Sequence, residues 1–291
     1  MTNSGQNRSV LVTGASKGLG CEIALALAEQ GFRVWAGVRN LEQAALVSEA
    51  AKRNADIRLV RLDVTDDESV DAALRRIEQE DGALYGLVNN AGVTARCWFE
   101  DFPESRIREI FEVNAFGPMR VTRRALPLLR KSASGRIVMI SSIGGRIGSL
   151  SVAPYVASKF ALEGFAESLA LELKFFNIGV TLIEPGIVKT EIWGDERILP
   201  EAHRRESPYF KVFWSAEQLA EVALRSSTLT PADVASVVVR TLIAKRPPLR
   251  KVVGRRAAFV VALRRHLWGE WFEKLYFGTQ ARMIRKRLPN V

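Results

Sequence analysis

Histidine and cysteine are nearly missing from this chain, with two of each in 291 residues. Cys21 and Cys97 cannot make a disulfide framework and lack metal-ligand spacing. His203 and His266 sit in no metal or nucleophile constellation and read as structural or surface residues, so no metal centre is expected. Apolar runs long enough to span a bilayer are also lacking. The first eight residues are short and polar and lead straight into an apolar strand-like run, leaving no room for a charged region followed by a signal-peptide core. These absences predict a cytoplasmic protein.

Net positive charge is lacking over most of the length. The formal net charge is +10, but residues 241–291 hold thirteen Lys or Arg against two Glu, so residues 1–240 carry a net charge of −1. Basicity is therefore a property of the tail, and a nucleic-acid-binding reading of the whole chain loses its support.

What is present is an alternation. Strand-like apolar runs fall at 10–12, 33–37, 57–62, 84–89, 136–141, 180–183 and 251–253. Helix-like patterns lie between them at 19–30, 41–53, 67–80, 104–130, 155–176 and 231–244. Parallel strands need crossover connections of this length, so the pattern predicts an α/β fold. We expect a doubly wound parallel sheet of Rossmann type in a single domain over residues 1–254, with residues 255–291 as a basic, aromatic extension. Residues 191–216, mixed polar and aromatic, follow a strand end where open α/β sheets bind ligands. They are either a substrate lid or a structural surface loop.

The first strand runs into Thr13-Gly14-Ala15-Ser16-Lys17-Gly18-Leu19-Gly20 and then a helix. A pyrophosphate needs a tight turn, backbone that can be approached closely, and a helix N-terminus whose N–H groups and dipole favour an anion. The glycines meet these needs, although G-x-x-x-G-x-G departs from the commoner G-x-G-x-x-G. At the end of the second strand an NAD site usually places an acidic residue on the ribose hydroxyls. Here the run reads Val34-Trp35-Ala36-Gly37-Val38-Arg39, so Arg39, helped by Lys17, suits a 2′-phosphate and NADP(H).

Tyr155 and Lys159 stand four apart at the opening of a helical pattern, on one face. A free phenol titrates near pH ~10, too high for a base at neutrality. An ammonium about 4 Å away at an effective dielectric of ~20 is worth ~4 kcal/mol, which would bring that value to roughly 7. Such a pair can exchange a proton with a carbonyl or alcohol oxygen.

Thr13 to Gly20, Asn89-Asn90-Ala91-Gly92, Ser141-Ser142, Tyr155 with Lys159, and Pro185-Gly186-Ile187-Val188-Lys189-Thr190 stand in the order and spacing of the short-chain dehydrogenase/reductases, which the chain resembles from about residue 8 to 193. The stretch Tyr155 to Gly164 is similar to the hydroxysteroid and retinol dehydrogenase branch. The resemblance implies an NADP(H) site made of Gly14, Ser16, Lys17, Gly18, Leu19, Gly20, Arg39, Asp63, Val64, Asn90, Ala91, Gly92, Tyr155, Lys159, Pro185, Gly186, Val188 and Thr190. Asp63-Val64 would lie beside the adenine, and Val188 and Thr190 would anchor the carboxamide. Ser142 would bind the substrate oxygen, Tyr155 would act as acid/base, Lys159 would also hold the nicotinamide ribose, and Asn114 would order a proton-relay water. A homodimer or homotetramer is implied too, through a helix whose apolar stripe is Leu162, Phe165, Ala166, Leu169, Leu173 and Phe176.

Segments 94–99, 143–150 and 192–214 carry Trp98, Phe99, Trp193, Tyr209, Phe210, Phe213 and Trp214. These suit a bulky apolar carbonyl or alcohol substrate, or they merely cover the sheet. In the tail, Arg pairs alternate with Trp268, Trp271, Phe272, Leu275, Tyr276 and Phe277. That pattern fits packing on the protein or peripheral contact with an anionic membrane. Two other readings use the same fold: a dinucleotide-binding regulator without chemistry, and a peripheral membrane module.

Overall fold

Strands buried on both faces can exist only in a sheet covered from both sides. In the computed structural model, which describes residues 8–42, 56–132 and 134–288, every residue of β1 (Ser9–Thr13) is buried. Only the first residue is not in β2 (Arg33–Val38) and β6 (Gly179–Pro185). With β3 (Ile57–Arg61), β4 (Gly86–Asn89), β5 (Arg136–Ile140) and β7 (Arg250–Val253) they form one parallel sheet, ordered β3-β2-β1-β4-β5-β6-β7. All seven strands lie where the apolar runs place them. The strand order reverses between β1 and β4, opening a crevice at their carboxyl ends.

One face is covered by α1 (Gly18–Glu29) and α7 (Pro231–Ile243), which set Ile23, Leu27, Val234 and Leu242 against Val10, Val12 and Val34. The other is covered by α2 (Asp67–Asp81), α4 (Gly117–Lys131) and α5 (Ala153–Leu173). The local sequence sets their ends. Asp66 caps α2 by accepting from the N–H groups of Glu68 and Ser69, and Gly82 stops it in the left-handed region. Thr230 and Asp233 form a reciprocal capping box on α7.

Three stretches depart from the sequence pattern. The helix expected at 104–130 is an α-helix, α3 (Glu104–Phe111), joined to α4 by a π turn over Glu112–Phe116. Residues 191–203 form three 3-10 turns, and α6 (Phe210–Arg225) begins inside the expected lid. The tail is helical, as α8 (Arg255–His266) and α9 (Gly269–Arg285). On α5, Leu162, Ala166, Leu169 and Leu173 are buried, but Phe176 is exposed because the chain leaves the α-helix at Leu173 for a 3-10 turn. Most of the helix expected at 41–53 lies outside the described residues. Among the described residues no helix is long and apolar enough to cross a membrane.

Candidate active site

The crevice is built from the ends of β1, β4, β5 and β6. Gly14 leaves β1 at φ +65°, and a Cβ there would stand 2.8 Å from the Cα of Ala91. A Cβ on Gly20 would run into the Gly14 carbonyl and the Asn90 amide. Gly18, at φ +57°, starts α1 facing open space, and Lys17 caps the helix with no side-chain bond, leaving first-turn N–H groups for an anion. Backbone packed this closely at a helix end fits a dinucleotide pyrophosphate.

A residue outside the expected set organises this cradle. The Thr13 hydroxyl accepts from the N–H groups of Asn90 (3.0 Å) and Ala91 (3.1 Å), while Asn90 Nδ2 donates to the carbonyls of Thr13 (2.9 Å) and Gly14 (3.2 Å). The β1 and β4 turns are thus tied side chain to backbone. The preceding Asn89 faces away and donates to Thr122 Oγ1 at 2.9 Å. Arg39 is exposed directly after β2, and Asp63 accepts from Thr65 at the end of β3 with buried Val64 beside it. Lys17 is ion-paired with Glu191 at the start of the 3-10 turns. Pro185, the last residue of β6, and Val188 beyond it are buried, with Gly186 and Thr190 half-buried.

Ser142, Tyr155 and Lys159 meet at the end of β5, and all three are buried. Ser142 accepts from the N–H of Gly144 at 3.0 Å, and its hydroxyl acts on the phenol of Tyr155 so as to lower that group's pKa. Lys159 Nζ lies 5.7 Å from the centre of the Tyr155 ring and donates to the carbonyl of Ile140 at 2.9 Å. This corrects the simple expectation of an acidified phenol: burial pushes Tyr155 above its ordinary value, and only Ser142 opposes that. Burial pushes Lys159 down to about 8, with the carboxylate of Glu163 acting the other way. Lys159 is therefore predominantly charged at neutral pH, and its loss of charge falls in the mildly alkaline range.

Asn114 is fully buried within the π turn. Its Oδ1 accepts from the N–H of Val93 at 2.8 Å, and its Nδ2 donates to the Val93 carbonyl (2.8 Å) and to Ser158 Oγ (3.0 Å). Ser158 in turn donates to the carbonyl of Tyr155 at 2.7 Å. The Asn114 amide is thus engaged in clamping the β4 turn to the start of α5. Ser158 lies inside the Tyr–Lys segment and was readable there only as a spacer.

Beyond Tyr155 lies an apolar cluster that includes Ala95, Cys97, Ile110, Val152, Leu199 and Phe213, with Trp98, Trp193 and Trp214 packed on it. Trp193 meets the Tyr155 ring edge-on at 6.5 Å. Of the expected aromatics, Trp98 stacks on Tyr209 and Phe210 meets Trp214 edge-on, whereas Phe99 points outward. A latch that no motif announces holds this cover. Buried Arg96 pairs with Glu217 at 2.9 Å and donates to the carbonyl of Trp193 at 2.7 Å, while its backbone bridges Arg197 and Leu199.

A glycine cradle at β1 beside a buried Ser–Tyr–Lys group at β5 has counterparts among known proteins. The model of the short chain dehydrogenase family matches residues 8–198. Retinol dehydrogenase 8 of Bos taurus is 36% identical over 273 residues, covering 88% of this chain and 85% of that protein. A short-chain dehydrogenase from Streptomyces avermitilis has a TM-score of 0.79 at 31% identity, over 97% of this chain and 99% of its own. Another from Burkholderia phymatum, solved in complex with NAD, has a TM-score of 0.78 at 26% identity over 96% and 97% of the two chains. The chain belongs to the short-chain dehydrogenase family, oxidoreductases that use a nicotinamide dinucleotide.

Proposed function

We propose that this protein is an NADP(H)-dependent oxidoreductase that reduces the ketone or aldehyde of a bulky apolar compound, of steroid, retinoid or polyketide kind, or oxidises the matching alcohol. The observation that carries the reading is the buried group of Ser142, Tyr155 and Lys159, with Tyr155 packed into the apolar cluster.

In this reading the first-turn N–H groups of α1 and the backbone at Gly14, Ser16, Gly18, Leu19 and Gly20 hold the pyrophosphate. Arg39 takes the 2′-phosphate, since no carboxylate stands at the end of β2, and Lys17 joins it once released from Glu191. Asp63 and Val64 flank the adenine, Asn90 to Gly92 shape the floor, and Pro185, Gly186, Val188 and Thr190 meet the nicotinamide end. When bound, the nicotinamide supplies or accepts the hydride.

Ser142 holds the substrate oxygen, and Tyr155 gives it a proton on reduction or takes one on oxidation. A phenol held above its ordinary value stays protonated at neutral pH, which suits the proton donor of a reduction. The charge on Lys159 steadies the phenolate left behind. The apolar cluster and its three tryptophans favour a hydrocarbon-rich substrate, in keeping with the retinol in the name of a relative.

The same reading treats residues 1–254 as the catalytic unit, with 191–216 as lid, and 255–291 as an appended extension in a cytoplasmic enzyme. It assigns a homodimer or homotetramer, supported by Leu171, Phe175 and Phe176 left exposed at the end of the catalytic helix. The test follows NADPH absorbance across ketones, aldehydes and alcohols. Tyr155→Phe is expected to keep NADPH binding and to lose at least about a thousandfold in turnover. Undiminished turnover would remove the mechanism, and binding without turnover on any substrate would favour a regulator.

A further inference from the structure

The last two helices have two unlike faces. On α9, Phe272, Tyr276 and Ile284 recur at i, i+4 and i+12, and Phe272 and Ile284 are buried on the protein. Its other face holds Trp271, Leu275 and Arg282, at i, i+4 and i+11. Trp271 is 67% exposed, Leu275 54%, and Trp268, just before the helix, 83%. Lys274 and Arg285 flank this apolar row. Phe259 on α8 is exposed as well. Packing of the tail on the protein is therefore real but one-sided, and it leaves the tryptophans outward.

We infer that this outer face of α8 and α9 docks on an anionic lipid surface. Indole rings with a leucine seat at the boundary between headgroups and acyl chains, and Lys and Arg with long apolar stems reach from that depth to lipid phosphates. Residues 255–291 carry nine Lys or Arg against two Glu, and each cation near such a surface strengthens binding by a factor of about five. A second copy of the chain is a poor occupant. A two-fold pairing of this face would bring two strongly cationic extensions together. Duplex nucleic acid would satisfy the cations and leave the row of Trp268, Trp271 and Leu275 without use.

The inner face gives the docking a fixed direction. Arg264 of α8 donates to the Arg146 carbonyl in the loop after Ser142, and its guanidinium lies 5.9 Å from the rings of both Phe160, next to Lys159, and Phe272. Phe277 of α9 covers Gly148. The extension is thereby fastened to the loop and helix that carry Ser142 and Tyr155, so the lipid surface holds a set relation to the site.

The experiment uses the full chain, and its main readout, vesicle binding, needs no turnover. Co-sedimentation is measured with phosphatidylcholine vesicles and with vesicles about one-third phosphatidylglycerol, at low and high salt. Binding is expected only to the anionic vesicles and is expected to weaken with salt. W268A/W271A and K274E/R282E should each lose at least about tenfold in vesicle affinity at unchanged melting temperature and unchanged reduction of a small soluble carbonyl. Equal binding to neutral vesicles, or none to either, overturns the inference. So does an oligomer that dissociates in W268A/W271A, which would make a second copy the occupant. DNA retention that outlasts vesicle binding as salt rises overturns it in favour of nucleic acid.

Discussion

The two sides of Tyr155 are built by different means. On the side proposed for the dinucleotide, the turns after β1 and β4 are tied by the side chains of Thr13 and Asn90 bonding backbone groups across the two strands. On the side proposed for the substrate the wall is a run of 3-10 turns and aromatic rings, into which a buried arginine reaches to pair with Glu217 and bond the Trp193 carbonyl. A cradle for a constant ligand tolerates no added atom, whereas a cover for a variable one can be redrawn while its latch persists.

The sharpest way to break this contrast is Gly20→Ala. Its methyl would collide with the Gly14 carbonyl, so dinucleotide affinity should fall at least about a hundredfold, read by calorimetric titration. Preserved affinity would mean that the cradle yields. Arg96→Met attacks the other side. It leaves Glu217 largely buried without its partner, costing about 3 kcal/mol in a melting experiment. The KM of a bulky substrate should rise about tenfold while dinucleotide affinity stays constant. A change in both would show the two sides to be one unit.

Arg39→Ser tests the far end of the cradle, with preference for NADPH over NADH expected to fall about tenfold in kcat/KM. The smallest effect is in pH dependence. Carbonyl reduction should hold across neutrality and decline above about 8, where Lys159 loses its proton. Burial depresses the lysine and the Glu163 carboxylate resists that, so Glu163→Gln should move the alkaline limb downward, by less than about one pH unit. Arg250, Arg146 and Glu184 share this buried cluster, and Arg250 donates to Glu163 at 3.0 Å, so Arg250→Met should move the limb the opposite way.

What the sequence declared and what it concealed follow this division. Gly14 and Gly20 were legible because local backbone geometry dictates their identity, and Ser142, Tyr155 and Lys159 because helical spacing and strand ends bring them together. The strands were legible because burial on both faces demands continuous apolar residues. Arg96 and Glu217 were not legible, since any pair of opposite charges would read the same and only the fold joins positions so far apart. Lys17 was legible as a cation near phosphate but not as the present partner of Glu191. The tail showed its alternation of Arg and aromatics, yet which face turned inward depended on α6 and α8 being there to receive it.

The π turn at Glu112–Phe116 has a consequence in rotational phase. On an uninterrupted α-helix Ile110 and Val121, eleven residues apart, would point the same way. One surplus residue in the turn rotates the second half by roughly a quarter revolution relative to the first. Ile110 therefore serves the apolar cluster around Tyr155 while Val121, Ala125 and Leu128 serve the core under the sheet. Asn114 stands where the two phases meet. A chain one residue shorter there would wind a more regular helix, and it would swing either that amide away from Ser158 or a whole apolar face into water.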